Sequence, residues 1–127
     1  RAFAIERDAK RIANIRANGE ILGASNLRIV EGTAPAALKG LARPDVIFVG
    51  GGVSDSKLLQ TCWRALQSGG RLVANAVSAE GEGELLRCMG RWDGEMTRIA
   101  VSHMDGMGDL HAWRAMRAVT QYRGTKP

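Results

Sequence analysis

Glu6 closes the apolar run Ala2-Phe3-Ala4-Ile5, which gives a carboxylate at the end of a strand-like segment. In a doubly wound sheet, ligands sit at the carboxyl ends of the strands. An acidic side chain there accepts charge-assisted hydrogen bonds from both hydroxyls of a ribose. Glu6 is therefore the first candidate ligand, for the ribose of an adenosine-containing cofactor. Its competing fate is a solvated carboxylate paired with Arg7 or Lys10.

Two further glycine-containing segments follow strand-like runs. Gly32-Thr33-Ala34 comes after Leu27 to Val30. Small residues there let an adenine ring lie against the loop, while backbone N–H groups and the Thr33 hydroxyl reach its edge. Gly50-Gly51-Gly52 ends the run Asp45-Val46-Ile47-Phe48-Val49 and leaves room for a reactive group or a large substrate. Asn75 and Glu80 flank the end of the run Arg71 to Val77, where they are candidates for hydrogen bonding to substrate; Ser78 as a helix cap and Glu80 as a favourable charge at that helix's positive end are the plainer roles. His103 and His111 lack metal-ligand spacing with other His, Cys or carboxylates, so no metal site is expected.

The elements that must position these residues alternate. Ala2 to Ile5 reads as a strand, then Asp8 caps a helix to about Ala17, stopped by Asn18-Gly19. Leu27 to Val30 is a strand and Pro35 starts a brief helix reaching Leu38. Asp45 to Val49 reads as a parallel strand covered on both faces. Ser54 caps a helix with Leu58, Leu59, Cys62, Trp63 and Leu66 on one face. Arg71 to Val77 is a strand, and Ser78 or Ala79 begins a helix to Trp92. Met96 to His103 is a strand, Gly106 and Gly108 mark a loop, and Ala112 to Gln121 is the last strand. The alternation predicts an α/β domain with a mostly parallel sheet. The two final strands, with no helix between them, predict an antiparallel pair at one edge. A methyltransferase-type Rossmann domain ends in this way, whereas a nicotinamide-binding one continues with another helix.

The 127 residues suit one domain, 45% hydrophobic, with a net charge of +5. No apolar run approaches the roughly 20 residues of a membrane span, and none reads as a signal peptide, so the default compartment is the cytoplasm. The basic balance suits an acidic partner through steering. No Lys/Arg cluster with interleaved aromatics points to nucleic acid. Cys62 and Cys88 are expected to be buried, reduced thiols. The chain opens with Arg1 and runs straight into a strand. A longer natural polypeptide is therefore expected, carrying upstream the first strand and the glycine-rich turn that would complete a cofactor site.

The runs Ala4-Ile5-Glu6-Arg7, Val30-Glu31-Gly32-Thr33-Ala34-Pro35, Val46 to Gly52 and Arg71-Leu72-Val73-Ala74-Asn75-Ala76-Val77 together resemble the precorrin-6Y methyltransferases of the cobalamin pathway. The likeness is to their C-terminal domain, which decarboxylates an acetate side chain and methylates C15 of the corrin precursor. It covers nearly all of the chain to Val77, and the tail in outline. The resemblance implies a class I S-adenosylmethionine-dependent methyltransferase fold and S-adenosylmethionine as cofactor. It implies a cofactor site of Glu6, Arg7, Gly32, Thr33, Ala34, Gly50 and Gly51, with Gly52 and Asn75 toward the substrate. The implied substrate is a polycarboxylate tetrapyrrole, with Arg71, Arg98, Arg114 and Arg117 as candidate carboxylate partners. A homo-oligomer fused to an N-terminal methylase is expected, with neither nucleic acid nor membrane as partner.

Methyl transfer from a sulfonium needs alignment more than acid–base chemistry, and holding donor and acceptor in line supplies roughly 7–11 kcal/mol. Decarboxylation beside a conjugated ring uses that ring as electron sink. No nucleophile or triad is expected, and Asn75 and Glu80 are the only catalytic candidates. Rival readings are an RNA or small-molecule methyltransferase, an NAD-dependent oxidoreductase and a non-enzymatic scaffold. The glycine triplet stands where amine methylases often carry an Asn/Asp-Pro-Pro-aromatic tetrad.

Overall fold

The computed structural model describes residues 1–127 and divides them into two compact units, residues 1–42 and 43–127. In the first unit, strands β1 (Ala2–Glu6) and β2 (Leu27–Glu31) pair in parallel, with Glu6 opposite Glu31. Helix α1 (Ala9–Ile21) connects them and buries Ile12. Asp8 caps α1, its carboxylate accepting from Arg11 N–H at 2.8 Å. The helix does not stop at Asn18-Gly19; it runs a further turn. Its end lies where Gly23, at φ +66°, donates to the Glu20 carbonyl while Ala24 N–H reaches the Gly19 carbonyl. This paired arrangement satisfies the last carbonyls and needs a left-handed residue, which Gly23 supplies and Gly19 does not.

The second unit holds a four-stranded sheet in the order β3-β4-β8-β5. Strands β3 (Val46–Val49) and β4 (Arg71–Ala76) are parallel. β8 (Val119–Thr125) runs antiparallel to both β4 and β5 (Glu95–Ile99). The antiparallel C-terminal pair predicted for the edge is therefore present, with its last strand inserted between β4 and β5. Helices α2 (Ser56–Ala65) and α3 (Ala79–Trp92) supply the apolar faces that the spacing predicts. Leu58, Leu59, Cys62, Trp63 and Leu66 are buried with Leu72, Ala74, Ala76, Leu85, Cys88 and Tyr122. Trp63 and Trp92 stack at 4.5 Å between ring centroids.

Further details differ from the sequence reading. Asp55 caps α2 in place of Ser54, because its carboxylate reaches Lys57 N–H at 2.9 Å. β3 is an outer strand of its sheet, and Val46 and Phe48 stay 57% and 62% exposed, so only one face is covered. The run from Met96 to His103 is broken after Ile99, and Ser102–Met107 forms β6. β6 pairs with β7 (Leu110–Ala115) as a hairpin, closed by Gly108-Asp109 with Gly108 at φ +61°. Gly106 thus lies in a strand, and the predicted final strand is two, β7 and β8.

Candidate functional site

The first unit brings its predicted residues together. β1 and β2 end side by side, and Gly32 N–H donates to the Glu6 carbonyl at 3.0 Å. The Gly32-Thr33-Ala34 loop is thereby tied to the strand end that carries the candidate ribose ligand. Glu6 Oε1 accepts from Arg7 N–H at 2.8 Å and from Asp8 N–H at 3.0 Å. Arg11 Nη1 stands 3.6 Å from Glu6 Oε2. The Asp8 and Arg7 amides hold the carboxyl below its ordinary range against the opposing effect of burial, with the Arg11 guanidinium adding a lesser pull in the same direction as the amides. Glu6 is thus a fixed anion whose Oε2 takes only a long ion pair. The plainer pairing with Arg7 or Lys10 is not what forms: Arg7 contributes its backbone, and Arg11 is the cation.

Thr33 is exposed and its carbonyl accepts from Ala37 N–H at 3.0 Å. The short 3-10 turn Ala36–Leu38 follows, closed by Leu38 N–H to the Pro35 carbonyl and Lys39 N–H to the Ala36 carbonyl, both at 3.1 Å. Gly32 lies at φ +153°, and a Cβ there would stand 3.2 Å from Ala37 Cβ, so a side chain would press on the turn behind the loop. A ribose diol and an adenine edge fit these groups: an oriented carboxylate, a hydroxyl and a loop without bulk.

In the second unit, the parallel strands β3 and β4 carry the remaining candidates at their carboxyl ends. Gly50, Gly51 and Gly52 follow β3, exposed. A Cβ on Gly51 would meet nothing within 4 Å, whereas Gly52, at φ +73°, would meet Leu58 Cδ2 at 3.3 Å. The triplet is open at its centre and pinned at its end against α2. Asn75 is half-buried and accepts from Gln121 Nε2 at 2.9 Å. Ser78 caps α3, accepting from Gly81 N–H at 3.2 Å. Glu80 is exposed, in the first turn of α3, and takes no side-chain partner, as its plainer role has it.

Sequence reasoning missed Gln121 as the partner of Asn75, and Glu82 as the partner of Thr120 and Arg98. The Asn75–Gln121 and Glu82–Thr120 pairs span 46 and 38 residues and are created by the insertion of β8, which no local signal announces; Glu82 and Arg98, 16 residues apart, join α3 to β5. Of the four candidate arginines, Arg98 is engaged by Glu82 and Thr120, and Arg114 by Asp105. Arg71 and Arg117 remain exposed without a carboxylate. Cys62 and Cys88 are buried free thiols. No group of three His, Cys, Asp or Glu side chains is placed to hold a metal ion. No helix is long and apolar enough to cross a membrane. Two cavities, about 460 Å³ and 200 Å³, are lined in part by Trp63, Met89 and Trp92 and by Ser56, Leu59 and Glu84 respectively.

The model of the precorrin methyltransferase domain family matches residues 1–126. A precorrin-6Y C5,15-methyltransferase (decarboxylating) from Sinorhizobium sp. is 42% identical over 125 residues, 98% of this chain and 30% of that protein. A protein from Saccharolobus solfataricus bearing the name of a cobalt-precorrin-6B C15-methyltransferase (decarboxylating) is 33% identical over 92 residues, 70% of this chain and 46% of that one. The crystal structure of the C-terminal domain of precorrin-6Y C5,15-methyltransferase from Rhodobacter capsulatus superposes with a TM-score of 0.91 at 39% identity, covering 99% of this chain and 68% of that one. The class I fold alone is shared with more distant solved S-adenosylmethionine-dependent methyltransferases. The chain spans about a third of the length of the curated C5,15 relatives it matches.

Proposed function

This chain belongs to the precorrin methyltransferase domain family, and from that premise we propose that its protein methylates C15 of a precorrin and removes CO₂ from an acetate side chain, in cobalamin biosynthesis. The observation that carries the reading is the likeness, over 98% of the chain, to a decarboxylating precorrin methyltransferase. The match to a relative named for C15 alone favours that half of the double activity. Residues 1–127 are read as one methyltransferase domain, fused behind a separate methylase; the 30% share of the Sinorhizobium protein supports the fusion.

S-adenosylmethionine would supply an electrophilic methyl group. Glu6 would accept the ribose hydroxyls, its anionic state maintained by the Asp8 and Arg7 amides. Arg7, at the same strand end, would flank the ribose. Gly32, Thr33 and Ala34 would line the adenine, with the Thr33 hydroxyl as hydrogen-bonding group. Gly50 and Gly51 would leave clearance for the reactive end, and Gly52 and Asn75 would face the macrocycle. Nothing in the chain acts as a nucleophile in this scheme. Orientation and exclusion of water are the protein's contribution, and the macrocycle receives the electrons released by decarboxylation.

The test uses the intact protein with methyl-labelled S-adenosylmethionine and an acetate-bearing precorrin. The expected product carries a labelled methyl at C15, located by NMR, and has lost one CO₂, detected by mass spectrometry; the fused methylase would add its own labelled methyl at another position. A product methylated without CO₂ loss, or no product, overturns the reading.

A further inference from the structure

Asn75 and Gln121 stand opposite each other in the β4–β8 ladder, and Gln121 Nε2 donates to Asn75 Oδ1 at 2.9 Å. Along β4, Leu72, Ala74 and Ala76 are buried, so Asn75 lies with Arg71 and Val73 on the opposite face of the sheet. Gln121 in turn faces Thr97 across the β8–β5 ladder. On the other side, β3 runs parallel to β4 with Val49 opposite Ala74, so the next residue, Gly50, offers no side chain beside Asn75. The sheet therefore carries one polar row, Asn75-Gln121-Thr97, beside a gap left by glycine and next to the carboxyl end of β4. No buried side-chain N or O atom lacks a partner, so Asn75 Nδ2, which bonds to nothing in the chain, opens to solvent.

A free carboxamide turns by half a revolution and presents either its carbonyl or its N–H₂ group to the same place. The bond from Gln121 occupies the carbonyl end and leaves the two N–H donors outward. A carboxylate accepts only, and it would be repelled by the reversed amide. We infer that Gln121 is a positioning residue, holding Asn75 so that its N–H donors bind a carboxylate of the substrate's acetate side chain. The inference rests on the proposed function, which supplies the acetate.

The experiment measures KM and kcat of the intact enzyme for the acetate-bearing precorrin. The variants are Asn75→Ala, Gln121→Met and the double variant. Asn75→Ala is expected to raise KM about tenfold, the range for a hydrogen bond to a charged group. Gln121→Met keeps the volume and removes the donor; it raises KM roughly three- to fivefold with kcat changed less than about twofold, since a free amide is wrongly turned for part of the time. The double variant matches Asn75→Ala alone, because Gln121 acts only through Asn75. Gln121→Glu, ionised and without a donor, serves as a second variant and raises KM more than Gln121→Met. Additive effects in the cycle, an unchanged KM in Gln121→Met and Gln121→Glu, or an unchanged KM in Asn75→Ala overturns the inference while the proposed function stands. A wild-type enzyme without turnover overturns both.

Discussion

At the scale of single residues, the position of Glu6 matters less than its electrostatic state. Two backbone N–H groups, from Asp8 and Arg7, keep its carboxyl below the ordinary value of 4.5. A lowered native pKa means the contribution of Glu6 to stability is present above that ordinary value and is lost as the pH falls through the native one. A carbon-detected NMR titration should place the Glu6 midpoint below 4.5, and a midpoint at or above it would show that the two amides do not hold the anion. In the intact protein, Glu6→Ala is expected to weaken S-adenosylmethionine roughly ten- to hundredfold, as for a lost charge-assisted hydrogen bond. Calorimetric titration gives the number; an unchanged affinity returns Glu6 to the solvated surface. A second residue-scale constraint lies around Tyr122, fully buried, whose hydroxyl donates to the Asp93 carbonyl at 2.6 Å. Gly94, at φ +124°, lies against it: a Cβ there would come within 2.5 Å of the Arg123 carbonyl oxygen and 2.9 Å of Tyr122 Cε2. Gly94→Ala should therefore cost about 2–4 kcal/mol, combining backbone strain with overpacking. Urea unfolding measures it, and a loss below about 0.5 kcal/mol, the range of neutral surface changes, would contradict the packing.

At the scale of elements, helix α3 starts where the predicted cap stands, and Ser78 is its only side-chain acceptor for a first-turn N–H. Ser78→Ala should cost about 1 kcal/mol and Ser78→Asp much less, since Asp also caps. Equal losses for both variants in chemical denaturation would assign the effect to something other than the cap. Elements with a local cause could be read in advance: α3 from Ser78 and its apolar spacing, α2 from Leu58, Leu59, Cys62 and Trp63, β4 from its apolar run. Where two residues compete for one role, the reading slipped by a position or a turn, as with Ser54 against Asp55 and Gly19 against Gly23. The tail is different. Neither Ile99-Ala100-Val101 nor Met116-Arg117-Ala118 contains glycine or proline, yet the chain breaks at both. The breaks follow from pairing partners, β5 with β8 and β6 with β7, which are set by contacts distant in sequence. The candidate site divides along the same line. Glu6 and the Gly32-Thr33-Ala34 loop were visible as strand-end chemistry, whereas Gln121 and Glu82 acquire roles only through the insertion of β8.

At the scale of the whole molecule, the second unit concentrates its core under one sheet face, and three ionisable groups are buried there. Burial pushes the Cys62 thiol up to about 11, and the Cys88 thiol also to about 11 with Glu84 adding to the effect. Burial, with Cys88 and Asp93 nearby, pushes the Tyr122 phenol up to about 12. All three raised values act in one direction. The unfolded chain gives up these protons near the ordinary values of 9.0 and 10.0, while the native unit keeps them until about 11 and 12. Between those limits the unfolded state binds fewer protons, so stability falls as pH rises. The contribution is complete below pH 9, declines from there, and is gone above the native values. The loss should amount to about 2–3 kcal/mol for each thiol across its window. Denaturant unfolding at closely spaced alkaline pH values would show the decline. Replacing both thiols with Ala should lower stability at neutral pH by removing packing, yet flatten the profile between 9 and 11, where only Tyr122 then acts. A profile equally steep with and without the cysteines would place the alkaline sensitivity elsewhere. In the native state both thiols should resist a disulfide reagent at pH 8, because the reactive thiolate is scarce when the pKa is near 11. Full labelling of Cys62 and Cys88 should appear only with unfolding, at the rate of unfolding, as mapped by peptide mass.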